Sequence, residues 1–184
     1  MSPGLGLIMQ HGYIVENIEK AAAEWVERVG AGPFYLIDQL SLDCSFRGRR
    51  SEIALRVAFG YWGSMQIELV QPINDADSVY KEALLSAPGK LNHCATVVSD
   101  IEVLLARYGL KDRVIQSGQA ATGLKFVYLE EYLPGGLHLE LIEPPPNTLQ
   151  AFSGMEAVAK RWDGTNPMRP MSVLGEDLAK LTSG

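Results

Sequence analysis

Four polar side chains stand inside otherwise apolar runs: Gln10 in LIMQHGYIV, Glu68 in MQIELV, His93 in LNHCATVV and Glu140 in LHLELI. A carboxylate in the middle of an apolar strand is costly to bury unless something pairs with it. Two carboxylates, an imidazole and an amide at related places call for a shared positive partner. A divalent cation fits best, since nitrogen and oxygen donors suit several metals.

The positions are related because the chain repeats itself. Residues 9–19 (MQHGYIVENIE) lie over residues 92–102 (NHCATVVSDIE) without gaps, setting Gln10 on His93, Asn17 on Asp100 and Glu19 on Glu102. Residues 66–72 (QIELVQP) lie over residues 138–144 (HLELIEP), setting Glu68 on Glu140 and Pro72 on Pro144. The four polar residues therefore form two equivalent pairs, one on the first strand of each copy and one on the last. Side chains alternate across a strand, so Gln10 shares a face with Gly12 and Ile14, and Glu68 with Gln66 and Val70.

Each copy reads as strand, helix, then three strands. Residues 7–15 form a short apolar strand, Asn17 caps a helix, and Ile18, Ala21, Ala22, Trp25, Val26 and Val29 follow at helical spacing until Gly30. Strands are expected over 34–40, 52–59 and 65–70. The second copy has strands at 93–98, 113–115, 124–130 and 137–142, with a helix after Ser99 or Asp100. The expected organisation is a first βαβββ module at 5–75, a linker at 76–90 with a helix over 77–86, a second module at 91–146, and a helical extension at 147–184. In that extension Ser153 to Glu156 has the capping-box pattern of a helix start. The fold class is α+β: tandem βαβββ modules forming a cupped mixed sheet around a central site.

Tandem modules with polar residues on their first and last strands resemble the vicinal oxygen chelate superfamily, which includes glyoxalase I, methylmalonyl-CoA epimerase, extradiol dioxygenases and bleomycin-resistance proteins. The resemblance spans about residues 5–146, and its clearest marks are QHGYIVENIEKAA, MQIELVQP, LNHCATVVSDIE and LHLELIEPP. It implies a metal held by Gln10, Glu68, His93 and Glu140, the ion being zinc, nickel, cobalt, manganese or magnesium. His11 is an alternative first ligand, but the spacing from His93 to Asp100 is matched only by counting to Asn17 from Gln10. The ligand set is similar to that of glyoxalase I, whereas PINDADSVYKEALLSAPGKLNH between the modules is similar to the epimerase. Both parent reactions take a proton from carbon beside a carbonyl and hold the resulting enediolate on a metal. Glu140 is then the candidate catalytic base. Epimerases carry a further carboxylate on an earlier strand; Glu52 is nearby, but counting back from Glu68 reaches Val57. A metal-free binding protein of the bleomycin-resistance type is the alternative. A non-haem iron dioxygenase ranks third, because such sites want two histidines and one carboxylate.

Other residues have two readings each. His138 and Gln66 lie two residues before Glu140 and Glu68, on the pocket face, or are ordinary core polar residues. Arg47, with Arg49 and Arg50, could meet an anionic substrate group or form a solvated hairpin loop. Tyr61 and Trp62 could wall a substrate pocket or simply pack.

The chain has 184 residues, 47% of them hydrophobic and 21% charged, which suits a folded globular protein. A formal net charge of −6 argues against nucleic acid as a partner. Cys44 and Cys94 do not make a disulfide framework, and the apolar run Leu5–Met9 is too short for a signal or membrane segment. The expected setting is cytoplasmic, the partner a small-molecule substrate, and the assembly a homodimer with no membrane contact.

Overall fold

A computed structural model describes residues 5–182. The elements in chain order are β1 (Ile8–Ile14), α1 (Ile18–Val29), β2 (Phe34–Phe46), β3 (Arg49–Trp62), β4 (Met65–Pro72), α2 (Val79–Ser86) and β5 (Leu91–Val97). They continue with α3 (Ile101–Tyr108), β6 (Val114–Gln119), β7 (Lys125–Leu133), β8 (Leu137–Glu143), α4 (Pro146–Ala159), β9 (Met168–Pro170) and α5 (Leu174–Thr182).

The repeated caps act as their residue types require. Asn17 accepts a hydrogen bond from the Lys20 amide at 2.7 Å, and Asp100 accepts one from Val103 at 2.9 Å. Gly30 and Gly109 close the same two helices in the left-handed conformation.

The strands form one sheet in the order β3-β4-β1-β5-β8-β7-β6-β2-β9, and β2 also pairs with β3, so the first eight close into a barrel-like cup. The modules meet where β1 runs antiparallel to β5, while β4 and β8 flank them in parallel. Alternation then divides each strand between two environments. Ile67 and Leu69 pack outward with Ile18 and Ala22 of α1, and Leu139 and Leu141 do so with Ile101 and Leu105 of α3. Glu68 and Glu140, on the opposite faces of those strands, are turned into the cup beside Val70 and Ile142.

Several elements differ from expectation. The β2–β3 hairpin is longer because Leu42, Cys44 and Phe46 carry on the inward alternation, so Arg49 and Arg50 lie in the strand and the turn is Arg47–Gly48. Helix α2 starts at Val79, since Ser78 caps it through the Lys81 amide while Asp75 and Asp77 pair with the Lys81 side chain. Helix α4 starts at Pro146, so Ser153 sits inside it and caps nothing; proline in the first turn takes that role by its fixed backbone angle. No helix among the described residues is long and apolar enough to cross a membrane.

The extension packs back on the cup. Phe152, Met155 and Val158 of α4 are buried with Tyr35 and Tyr61, and β9 adds to the edge of β2. A buried carboxylate ties it down: Asp177 accepts hydrogen bonds from Tyr35 at 2.9 Å, Arg169 at 2.6 Å and Lys180 at 2.9 Å. Burial alone would raise the Asp177 pKa, but bonds from Lys180, Arg169 and Tyr35 outweigh it and hold the carboxyl at about 2. A depressed carboxylate pKa stabilises the fold above the unfolded value and loses that contribution as pH falls through the folded one. Asp177→Asn is therefore expected to cost about 2 kcal/mol near neutral pH. Urea titrations should show the difference from wild type shrinking between about pH 4 and pH 2. A difference that stays constant through that window would mean the carboxylate charge contributes nothing.

Candidate metal centre

Gly12 is the hinge of the site. On one side it is in register with Glu68, on the other with His93. A side chain at Gly12 would put its Cβ 1.9 Å from His93 Cε1, so the imidazole lies over the bare glycine backbone. From there His93 Nε2 is 3.1 Å from Glu68 Oε2 and 3.4 Å from Glu140 Oε2. The three donor atoms lie within 4.8 Å of one another. The other ring nitrogen, Nδ1, is 3.1 Å from Asn92 Oδ1, and Tyr128 meets the ring in a T-shaped contact with centroids 5.0 Å apart.

The electrostatics favour a cation. His93 is fully buried and Glu140 nearly so. Burial pushes the Glu140 carboxyl well above its ordinary range, the negative charge of Glu68 adds to this, and a hydrogen bond with Tyr128 works the other way.

Gln10 is aligned by a chain of hydrogen bonds that can run in only one direction. The Phe152 carbonyl of α4 can only accept, and Tyr61 donates to it at 2.9 Å. Tyr61 then accepts from Gln66 Nε2 at 2.9 Å, and Gln66 Oε1 accepts from Gln10 Nε2 at 2.7 Å. The Gln10 amide nitrogen is thereby used and its oxygen is left over. Gln10 Oε1 and Glu140 Oε2 are both buried without a hydrogen-bond donor among the described residues. Two orphaned acceptors are expensive to keep in a folded interior. An ion held among Glu68, His93 and Glu140 would give the Glu140 oxygen a partner, and one histidine nitrogen with two carboxylate oxygens is a donor set that fits a divalent metal.

The remaining residues of interest lie apart from this cluster. His11 alternates to the opposite face of β1 from Gln10. His138 neighbours His93 in register, and its Nδ1 accepts from the Glu131 amide at 3.0 Å. Arg47 is held by Glu82 at 3.2 Å and Glu130 at 2.9 Å. Trp62 is half exposed and tilts against Trp25. Gln66 and Tyr61 belong to the hydrogen-bond chain. Above Glu68 and Glu140 opens a cavity of about 280 Å³, walled by residues such as Val57 and Phe126 and lined also by Phe152 and Met155 of α4.

Gly12, Asn92 and Tyr128 were not foreseen from sequence. An interior strand glycine beside a candidate ligand is a signal of close approach that was open to use. The partnership of Tyr128 with His93 joins residues far apart in the chain and leaves no local mark.

A cupped sheet with one histidine and two carboxylates converging on its floor defines a protein of the paired βαβββ class. The chain belongs to the Glyoxalase/Bleomycin resistance protein/Dioxygenase superfamily, whose profile matches residues 9–128. No curated protein matches it in sequence. Among solved structures it is similar to methylmalonyl-CoA epimerase from Mycobacterium tuberculosis, at 18% identity and a TM-score of 0.55 over 78% of this chain and 91% of that one. It is also similar to a hypothetical protein from Bacillus halodurans C-125, at 19% identity and a TM-score of 0.54 over 76% and 94% of the two chains. At these identities the likeness is one of fold.

Proposed function

We propose that this chain is a metal-dependent isomerase or lyase that moves a proton on carbon next to a substrate carbonyl, of the glyoxalase I or methylmalonyl-CoA epimerase type. The observation that carries this reading is the convergence of Glu68, His93 and Glu140 at the floor of an apolar cavity, with unpaired acceptors on Gln10 and Glu140. Those four side chains would hold the ion. When bound, a divalent metal supplies a Lewis acid that stabilises negative charge developing on a carbonyl oxygen.

Glu140 is the proton carrier. It lines the cavity and keeps one oxygen free of hydrogen-bond donors. The substrate C–H bond breaks, an O–H bond forms on Glu140, and the electron pair moves toward the carbonyl. Return of the proton to the former carbonyl carbon, with the adjacent hydroxyl proton passing to the other oxygen, isomerises an α-hydroxycarbonyl substrate, and delivery of a proton by a second donor to the other face of the original carbon epimerises it. Glu68 and His93 hold their geometry through their mutual contact and the Asn92 contact to the second ring nitrogen.

A second reading, a metal-free protein that sequesters a small molecule, draws on the apolar lining of the same cavity. A dioxygenase ranks below both because the cluster brings one histidine together with two carboxylates. Buried, unpaired Cys44 and Cys94 suit the cytoplasmic setting we assign it.

The test is α-proton exchange in D2O, followed by NMR, on 1,2-dicarbonyls, hemithioacetals and acyl thioesters with metal-loaded protein. Glu140→Gln keeps an oxygen ligand and is expected to slow exchange by about 100-fold or more. Metal-loaded wild type that exchanges none of these substrates would set the reading aside.

A further inference from the structure

The cavity is apolar almost throughout. Leu55, Val57, Val70, Phe126 and Ile142 supply its walls, with Ala151, Phe152 and Met155 of α4 and Met171 beyond it on the extension. Its ionisable carboxylates, Glu68 and Glu140, are those of the metal cluster, and no lysine, arginine or histidine is among its lining residues. The arginines nearest in role are already engaged: Arg47 with Glu82 and Glu130, Arg56 with Glu19 and Asp38, Arg169 with Asp177.

Resting on the metal-centre reading above, we infer that the substrate is a small uncharged, hydrophobic molecule presenting a carbonyl or enol oxygen to the Glu68–His93–Glu140 end, and not an organic anion. A carboxylate or phosphate would bring a negative charge among two carboxylates, with no cationic side chain in the lining to pair with it, and buried charge without a partner is strongly disfavoured. Volume points the same way. About 280 Å³ is at the small end of ligand pockets, which suits a compact guest. Methionines at two points of the lining, Met155 and Met171, suit an apolar guest of irregular shape.

The experiment uses the full chain with and without one equivalent of Co²⁺, its metal content measured in parallel. The neutral dye N-phenyl-1-naphthylamine reports occupancy by fluorescence. Displacement is compared for two molecules of the same skeleton, neutral 1-phenyl-1,2-propanedione and anionic phenylglyoxylate, and for acetyl-CoA. The dione is expected to displace the dye at a concentration at least ten times lower than either anion. Ala151→Trp, which fills the cavity from α4, is expected to weaken dye binding at least tenfold. Tighter displacement by phenylglyoxylate or acetyl-CoA, or no dye binding in wild type, overturns the inference. Cobalt bound with a preference for anions leaves the metal centre standing and removes the neutral substrate. Dye and dione bound without any cobalt uptake keeps the neutral ligand and removes the metal centre.

Discussion

Protein carrying His93→Ala or Glu140→Ala is expected to lose its divalent metal, where wild type purifies or reconstitutes with about one ion per chain. His93 is wholly buried and contacts both carboxylates, so its removal leaves Glu68 and Glu140 without the nitrogen between them. Even outer partners of a metal site are worth about 10–100-fold in affinity, so loss of a direct ligand should exceed about 100-fold. Elemental analysis and calorimetric titration read the effect. Thermal stability gives an independent measure, because an ion that binds only the folded chain stabilises it by mass action. At a concentration about 1,000 times the dissociation constant the gain is about 4 kcal/mol, or roughly 8–16 °C in Tm for a chain of this size. That rise should vanish in both variants. Wild type that takes up no ion from excess zinc, nickel, cobalt, manganese or magnesium would end the enzyme reading and leave the binding-protein one.

The fold was legible because the chain states it twice. Asn17 and Asp100 cap equivalent helices, and Gly30 and Gly109 end them in the same backbone conformation. Alternation along β4 and β8 placed Glu68 and Glu140 opposite the faces that carry Ile67, Leu69, Leu139 and Leu141, and those faces pack under the helices. The start of α4 escaped because its signal is a proline without a polar cap, while Ser153 and Glu156 offered a more familiar pattern. The surroundings of the candidate site were harder to see for a different reason. The chain from Gln10 through Gln66 and Tyr61 to Phe152 joins four elements, and its direction follows from a carbonyl on a helix outside the repeat. The cavity lining likewise combines both modules with the extension. Periodicity reports which face a residue takes, and pairwise packing between distant segments lies beyond it.

Gly12→Ala is expected to damage the site without removing any ligand. The added methyl would stand 1.9 Å from His93 Cε1 and 2.0 Å from Nε2, closer than real contacts allow. The imidazole has little room to yield, since it is fully buried, meets Tyr128 in a T-shaped contact and contacts Asn92 and Glu68. Overpacking of this kind costs about 1–3 kcal/mol, and displacement of the ring should lower metal affinity at least tenfold, as misplacing an outer partner does. The glycine backbone here is not in the left-handed region, so the effect is purely steric. Gly175→Ala in α5 provides the contrast: nothing lies within 4 Å of its added methyl, and the change should be neutral or stabilise by about 0.4–1 kcal/mol. The double variant Gly12→Ala with His93→Ala separates steric from chemical loss. Truncating the ring makes room for the methyl, so the two stability costs should fall short of additive while metal binding stays absent. Additive costs, or a Gly12→Ala protein that binds metal as wild type does, would mean that the imidazole does not rest on Gly12 and that the floor of the cup is built another way.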